Sequence, residues 1–247
     1  MTTTAIETVP RGGEWLLEAA PLDTIFTPER MTEEHRLIRK TAQEFTDEVA
    51  EHTDQLETKN WDLTREFLRR AGELGLLATD VPETYGGLAL DKASAAIIAG
   101  CLGQCGSFSA TYGAHANLAI LPIRMFGTDD QKQRYLPSLA TGETVGAYCL
   151  SEAGSGSDAL GAKARATRQA DGSFVLNGEK MWITNGGFAD LYIVFAKVDG
   201  EHFTAFIVER GFAGVSTGKE EHKMGLHGSS TTPVILQDVR VPADNLL

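Results

Sequence analysis

The sequence predicts an α+β protein, in which an all-helical N-terminal domain is followed by an antiparallel, β-barrel-like domain. Apolar residues recur at helical spacing from Thr32 onward. After Thr141-Gly142-Glu143 the pattern changes to short β-prone runs separated by tight-turn signals, with no helical pattern between them. We therefore predict an N-terminal extension at 1–30, a helical domain at 31–143 and a β domain at 144–247.

The composition excludes several classes of protein. The chain has 247 residues, of which 42% are hydrophobic and 23% charged, so it can bury a sizeable core. Its formal net charge of −12 argues against nucleic-acid binding, because phosphate contacts need a basic face. The three cysteines are an odd number, which argues against a disulfide framework. The histidine spacing predicts no metal site.

The sequence also indicates where the protein is expected to work. No apolar run reaches the roughly 18 residues of a transmembrane helix. The first residues have the pattern of neither a secretory signal nor a transit peptide. We therefore expect a cytoplasmic protein with no transmembrane segment.

The helical domain is predicted to begin at Thr32, which can cap a helix whose first turn carries Glu33 and Glu34. The apolar face of this helix comprises Ile38, Ala42, Phe45 and Val49. A second helix is expected to follow Asp62 and to stop at Gly75.

The rest of the helical domain begins with a region rich in small residues, from Asp91 to about Ala119. Its small residues indicate either close helix–helix packing or space for a long apolar ligand between helices. Cys101 and Cys105 lie there one helical turn apart and are expected in the core. The last predicted helix, Thr128–Leu139, is capped by Thr128 and expected to end near Pro137.

Six β-prone runs define the second domain. They are Val145–Leu150, Lys163–Arg168, Phe174–Asn177, Leu191–Lys197, Phe203–Val208 and Pro233–Arg240. The turn signals between them include Asp171-Gly172, Asn177-Gly178, Asn185-Gly186-Gly187 and Asp199-Gly200. Short strands joined by tight turns indicate an antiparallel sheet or barrel.

Two segments of the β domain are typical of a binding site. Tyr148–Asp158 is a strand-like run that breaks into polar, glycine-spaced residues, which can offer N–H groups and hydroxyls to an anion or a ring. In Lys180–Gly187, Trp182 precedes Thr184, so an aromatic face and a hydroxyl are available to a planar cofactor. The alternatives are a plain loop for the first segment and a core aromatic for Trp182. Gly154–Ala159 fits G-x-G-x-x-A, but no long helix follows, which disfavours a dinucleotide fold.

Taken together, the two segments resemble the flavin-binding signatures of the acyl-CoA dehydrogenase family. Tyr148–Asp158 resembles the first signature residue by residue, and N-G-E-K-M-W-I-T-N-G-G at Asn177–Gly187 resembles the second at the family's usual separation. The resemblance covers roughly residues 30–247. The leader G-G-E-W-L-L-E and the run Phe203–Gly214 are most similar to the very-long-chain type and its bacterial relatives.

The resemblance implies FAD as the cofactor and assigns site residues by position. Backbone groups around Leu150 and Ser151 are expected to hydrogen-bond the pyrimidine edge of the flavin. Trp182 is expected to cover one face of the ring, and Thr184 to approach N5. Ser157 is expected to contact the pyrophosphate and to border the acyl-CoA entrance. The full set of expected cofactor-binding residues is Tyr148, Cys149, Leu150, Ser151, Gly156, Ser157, Trp182, Ile183 and Thr184.

The implied activity is that of an oxidoreductase, the α,β-dehydrogenation of fatty acyl-CoA thioesters in fatty acid β-oxidation. The implied partners are a fatty acyl-CoA, electron-transferring flavoprotein as acceptor, and further copies of the chain in a homodimer or larger oligomer. In the family, a helical C-terminal domain carries the catalytic glutamate. Since this sequence ends at Leu247, we expect that bundle to be absent and no catalytic residue to lie in this chain.

Two other functions remain open at this point. One is a truncated, non-catalytic module that binds flavin or acyl-CoA. The other is an acyl-CoA oxidase relative on the same scaffold, which would pass electrons to oxygen.

Overall fold

The computed structural model describes residue 17 and residues 27–247. The predicted N-terminal extension at 1–30 therefore lies largely outside the described residues. The described part has a helical region followed by a sheet, which confirms the predicted order.

The helical region of the described chain contains seven α-helices, with one π-helical turn between the fifth and the sixth. They are α1 (Glu33–Ala50), α2 (Thr53–Glu57), α3 (Trp61–Glu73), α4 (Lys92–Leu102), α5 (Gly106–Gly113), the π-helical turn (Ala114–Ala119), α6 (Ile120–Phe126) and α7 (Asp129–Ala140).

The predicted helix caps are confirmed at Thr32 and Thr128. Each threonine side chain accepts the N–H of the third helical residue, and that residue's side chain accepts the threonine N–H in return. These capping boxes satisfy N–H groups that the helix itself leaves unpaired.

Two predicted helix ends are wrong by a few residues. α3 begins at Trp61 rather than after Asp62, because the Asn60 side chain accepts the Leu63 N–H at 3.2 Å and so caps the helix earlier. α7 passes Pro137 and continues to Ala140, because the Thr141 N–H donates to the Pro137 carbonyl and closes one more turn. Pro137 itself supplies no N–H, so the helix lacks one hydrogen bond at this position.

The helical core is organised around three aromatic rings. Phe45, Phe67 and Phe108 meet edge to face, with ring centroids 5.8–6.3 Å apart. Cys101 and Cys105 are buried beside them as free thiols, as the sequence predicts. Burial raises the pKa of both thiols, so they behave as small apolar groups.

The second region of the described chain is a seven-stranded sheet. Its strands are β1 (Gly146–Cys149), β2 (Arg165–Arg168), β3 (Phe174–Thr184), β4 (Leu191–Val198), β5 (His202–Glu209), β6 (Val215–Thr217) and β7 (Thr231–Val241). All six predicted β-prone runs fall on strands. The sequence missed β6 and the second half of β3.

The described sheet is mixed and not closed, rather than a purely antiparallel barrel. β4 pairs antiparallel with β5 along one edge. Its other edge pairs in parallel with β1, where Gly146 is opposite Leu191, and then with β2. The reason is that the chain between β1 and β4 crosses back to the starting end, which parallel pairing requires.

The Asn177-Gly178 pair is not a turn but lies inside β3. It is opposite a bulge on β7, where Asp238 is the additional residue. The Asn177 side chain donates to the Asp238 carboxylate and accepts the Asp238 N–H, so the bulge uses the amide that would otherwise favour a turn. A Cβ on Gly178 would lie 2.7 Å from the Ala164 Cβ, so glycine is required by this close approach.

The helical region and the sheet are joined by an ion pair. Arg65 of α3 donates to the Asp190 carboxylate at 2.8 Å and to the Phe188 carbonyl at 2.9 Å. Asp190 also accepts the Val145 N–H at 2.8 Å, just before β1. The same helix stacks Trp61 on Phe188. These contacts fix the starts of β1 and β4 against the helices. None of the described helices combines the length and the apolar composition that a membrane span requires.

Candidate functional site

A cavity of about 190 Å³ lies between the π-helical turn and the sheet. Its lining residues are Ala114, Leu118, Tyr148, Leu150, Ser151, Met181, Trp182, Ile183 and Thr184. The two sequence segments with binding-site character therefore meet in space. Six of the nine expected site residues line this one cavity, and none of the described residues that line it is charged.

Trp182 occupies a bulge of β3. Lys180 pairs with Val234 and Ile183 with Thr232, so β3 has one more residue than β7 at this point. Trp182 adopts a left-handed backbone with φ of 58°, which is unusual for a bulky residue. The residue is 59% exposed. The alternative that Trp182 is a core aromatic is therefore wrong, and its ring is open to a ligand.

Ser151 and Thr184 give the cavity hydrogen-bond donors. In the described chain, neither hydroxyl has a protein partner, and the same holds for the Ser151 N–H. Cavity donors without protein acceptors suit a ligand whose edge carries several acceptor atoms. The Ser151 carbonyl, by contrast, accepts the Met181 N–H at 2.9 Å and ties the two segments together.

Tyr148 and Cys149 occupy opposite faces of β1. Tyr148 lines the cavity and packs edge to face on Phe195, and burial raises the pKa of its phenol. The Cys149 side chain faces away, into the core of the sheet, where burial raises the pKa of its thiol strongly. Only the backbone of Cys149 can thus serve the cavity, because successive side chains of a strand alternate between faces.

Gly156 and Ser157 do not line the cavity but lie on the exposed loop that continues from Ser151. The loop is internally braced, since the Ser155 hydroxyl donates to the Asp158 carbonyl at 2.7 Å. A Cβ placed on Gly154 or Gly156 would have no atom within 4 Å, so open space adjoins the backbone at both. Backbone of this kind can be approached closely by an anionic group.

A buried ion pair beneath the loop was not predicted from the sequence. Lys180 is fully buried, and its ammonium donates to the Glu152 carboxylate at 2.7 Å and to the Leu150 carbonyl at 3.0 Å. Glu152 also accepts the N–H groups of Lys163 at 2.6 Å and Ala164 at 3.0 Å. It therefore anchors both ends of the loop. The sequence signal that could have revealed the burial of Lys180 is the two-residue period of β3, which places Lys180 on the buried face with Leu176.

The charges of this pair follow from its surroundings. Burial opposes ionisation of Glu152, but the hydrogen bonds from Lys180 and the two N–H groups outweigh it and keep the carboxyl pKa below its ordinary value. Burial lowers the pKa of Lys180, and Glu152 offsets part of that effect.

His115 belongs to the π-helical turn on the other side of the cavity. It is fully buried; its Nδ1 accepts the Gly146 N–H at 3.0 Å, and its Nε2 donates to the Leu139 carbonyl at 2.9 Å. Burial lowers its pKa to about 4, so it is neutral and joins the π-helical turn, α7 and β1. Within the described residues, no three His, Cys, Asp or Glu side chains are grouped as metal ligands.

Family models match most of the chain. Residues 32–143 match the acyl-CoA dehydrogenase N-terminal domain, and residues 147–239 match the acyl-CoA dehydrogenase middle domain.

Known proteins agree with these matches. A probable acyl-CoA dehydrogenase of Bacillus subtilis is 52% identical over 97% of this chain and 41% of its own length. The human mitochondrial very long-chain specific acyl-CoA dehydrogenase is 42% identical over 71% of this chain and 28% of its own length. A crystal structure of acyl-CoA dehydrogenase complexed with FAD from Bacillus anthracis is 53% identical, with a TM-score of 0.92, over 96% of this chain and 41% of that chain. The chain thus spans less than half the length of these relatives.

Proposed function

Because the chain belongs to the acyl-CoA dehydrogenase family, through its N-terminal and middle domains, we propose that it binds FAD and serves the α,β-dehydrogenation of fatty acyl-CoA thioesters. The observation that carries the proposal is the cavity, in which an exposed tryptophan face adjoins the unpartnered donors of Ser151 and Thr184. A planar ring with acceptor atoms along one edge fits such a donor set. Bound FAD would supply the redox chemistry, accepting the electrons that leave the substrate.

Each part of the site has its own role in this proposal. Trp182 covers one face of the ring, while Thr184 and the backbone around Leu150 and Ser151 hold its edge. Gly156 and Ser157 provide exposed backbone and a hydroxyl for the pyrophosphate, and Ser157 borders the acyl-CoA entrance. Tyr148, Cys149 and Ile183 complete the expected set, with Cys149 acting through its backbone.

Among the residues that the structure describes, those that line the cavity include no carboxylate and no histidine. We therefore assign no residue of this chain as the base that removes the α-proton. That observation favours a second candidate, in which this chain binds flavin or acyl-CoA without turnover. The use of electron-transferring flavoprotein as acceptor, a role in β-oxidation and assembly into a homodimer or larger oligomer are further parts of the leading proposal.

A titration of FAD with the 247-residue chain tests the flavin site. We expect quenched flavin fluorescence on binding, since Trp182 stacks on the ring. Trp182→Ala should weaken binding about tenfold, the effect of losing roughly 1.4 kcal/mol of aromatic contact. Trp61→Ala is the matched control, because Trp61 stacks on Phe188 and does not line the cavity. A wild-type chain that binds no FAD, or a Trp182→Ala variant that binds as well as wild type, would contradict the proposed site.

Addition of a fatty acyl-CoA to the FAD-loaded chain then separates the candidate activities. Anaerobic loss of the flavin's visible absorption supports dehydrogenation. Rapid peroxide formation in air supports the oxidase instead. Bound flavin that no acyl-CoA reduces supports the non-catalytic module.

A further inference from the structure

The buried Glu152–Lys180 ion pair lies directly behind the cavity wall. Lys180 precedes the Trp182 bulge on β3, and Glu152 follows Ser151, so each partner is adjacent in sequence to lining residues. Both side chains point away from the cavity into the protein, and neither lines it. Burying a lysine to this extent carries a large desolvation penalty, which its hydrogen-bonding partners have to offset.

The geometry of one peptide unit connects the pair to the cavity. The Lys180 ammonium holds the Leu150 carbonyl at 3.0 Å, on the buried side. No described peptide bond is cis, and in a planar trans peptide the N–H of the next residue points opposite to the carbonyl. The Ser151 N–H is therefore directed away from the ammonium. This N–H has no protein acceptor in the described chain.

The charge of Lys180 acts along the same peptide. A carbonyl that accepts a bond from an ammonium is polarised, which makes the N–H of its own amide a stronger donor. Glu152 fixes the position of the Lys180 ammonium and of the loop through its hydrogen bonds. It anchors the ammonium at 2.7 Å and both N–H groups at the far end of the loop, so the Leu150–Ser151 peptide cannot rotate freely.

We propose that Lys180, held by Glu152, is a positioning residue that aims and strengthens the Ser151 N–H toward the electron-accepting ring of the bound flavin. The inference rests on the proposed FAD site and goes beyond it by assigning a tuning role to residues outside the cavity. A donor that is strengthened by a buried cation favours the redox state of the flavin in which the ring edge carries more negative charge. The pair therefore raises the affinity for reduced flavin more than that for oxidised flavin.

The test is the midpoint potential of FAD bound to the 247-residue chain. We expect Lys180→Met to reduce the ratio of the affinity for reduced flavin to the affinity for oxidised flavin by at least tenfold. A tenfold change in this ratio lowers a two-electron potential by about 30 mV. Lys180→Gln keeps a donor for the Leu150 carbonyl without the charge and should fall between Lys180→Met and wild type. Because Lys180→Met leaves the Glu152 carboxylate buried without its cation, the double variant Glu152→Gln/Lys180→Met removes the ammonium together with the carboxylate and provides a second way to remove the cation.

Two control variants separate this role from a merely structural one. Arg240→Met removes a cation from an exposed ion pair with Asp171 at the opposite end of β3, and should leave the potential unchanged. Val239→Ala opens the core of the sheet, so it should lower stability without moving the potential.

Amide hydrogen exchange gives an independent readout at Ser151. In wild type, added FAD should protect the Ser151 N–H, and in the double variant this protection should be at least tenfold weaker. A folded double variant that binds FAD at the wild-type potential with wild-type protection overturns the inference while leaving the FAD site intact. A wild-type chain that binds no FAD overturns the proposed function, and this inference with it.

Discussion

Acid should destabilise the protein through His115, and the size of the effect can be worked out from its burial. The neutral ring accepts from the Gly146 N–H and donates to the Leu139 carbonyl, so a second proton would have to displace a hydrogen bond inside the core. Burial lowers its pKa from 6.5 to about 4. The unfolded chain therefore binds a proton between these two values that the folded chain does not.

The sign and magnitude follow by linkage. The contribution of His115 to stability is complete above the pKa of 6.5 that it has in the unfolded chain. It decreases as the pH is lowered, until the folded-state pKa of about 4 is reached. Between about pH 7.5 and about pH 5, this single group should reduce the free energy of unfolding by about 2 kcal/mol.

The assay is urea unfolding at both pH values for wild type and His115→Gln. Glutamine offers an acceptor and a donor but does not titrate, so the pH-dependent loss should be smaller by about 2 kcal/mol than in wild type. His202→Gln alters an exposed histidine of β5 and should leave the loss unchanged. Equal losses in wild type and His115→Gln would refute the assignment of this acid sensitivity to His115.

Two further predictions concern packing around the site. Gly178→Ala should lower the free energy of unfolding by about 1–3 kcal/mol, because its Cβ would approach Ala164 to 2.7 Å; an unchanged urea midpoint would contradict this steric requirement. Thr111→Val should leave stability unchanged or raise it by up to about 1 kcal/mol, because the buried Thr111 hydroxyl lacks a partner in the described chain; a clear fall in melting temperature would reveal a hydrogen bond there.

Much of the fold could be predicted from local chemistry. Thr32 and Thr128 cap helices because a hydroxyl followed by an acidic first turn favours that geometry wherever it occurs. The β-prone runs are recognisable because strand propensity and turn residues are also local signals. The parallel pairing of β1 with β4 could not be predicted this way, since it depends on where the chain returns after residue 150.

The candidate site was predictable in part for the same reason. The residue types of the two segments indicate a binding site. The exposure of Trp182, however, depends on an additional residue relative to β7, which is distant in sequence. The burial of Lys180 likewise depends on a carboxylate supplied by Glu152. Asn177-Gly178 resembled a turn because the bulge at Asp238, which its side chain completes, is invisible locally.

The pairing of β1 with β4 also has a consequence for biosynthesis. β1 is the first strand to be synthesised. Its partner strand Leu191–Val198 leaves the ribosome much later, after the two segments Tyr148–Asp158 and Lys180–Gly187 that contribute to the cavity. The Trp182 bulge waits longer still, because it requires β7 at Thr231–Val241. Long-range pairing of this kind is slow and leaves strand edges uncovered in the meantime. A ligand for the cavity can therefore act only on an almost complete domain, and would stabilise the last step of folding rather than guide the first.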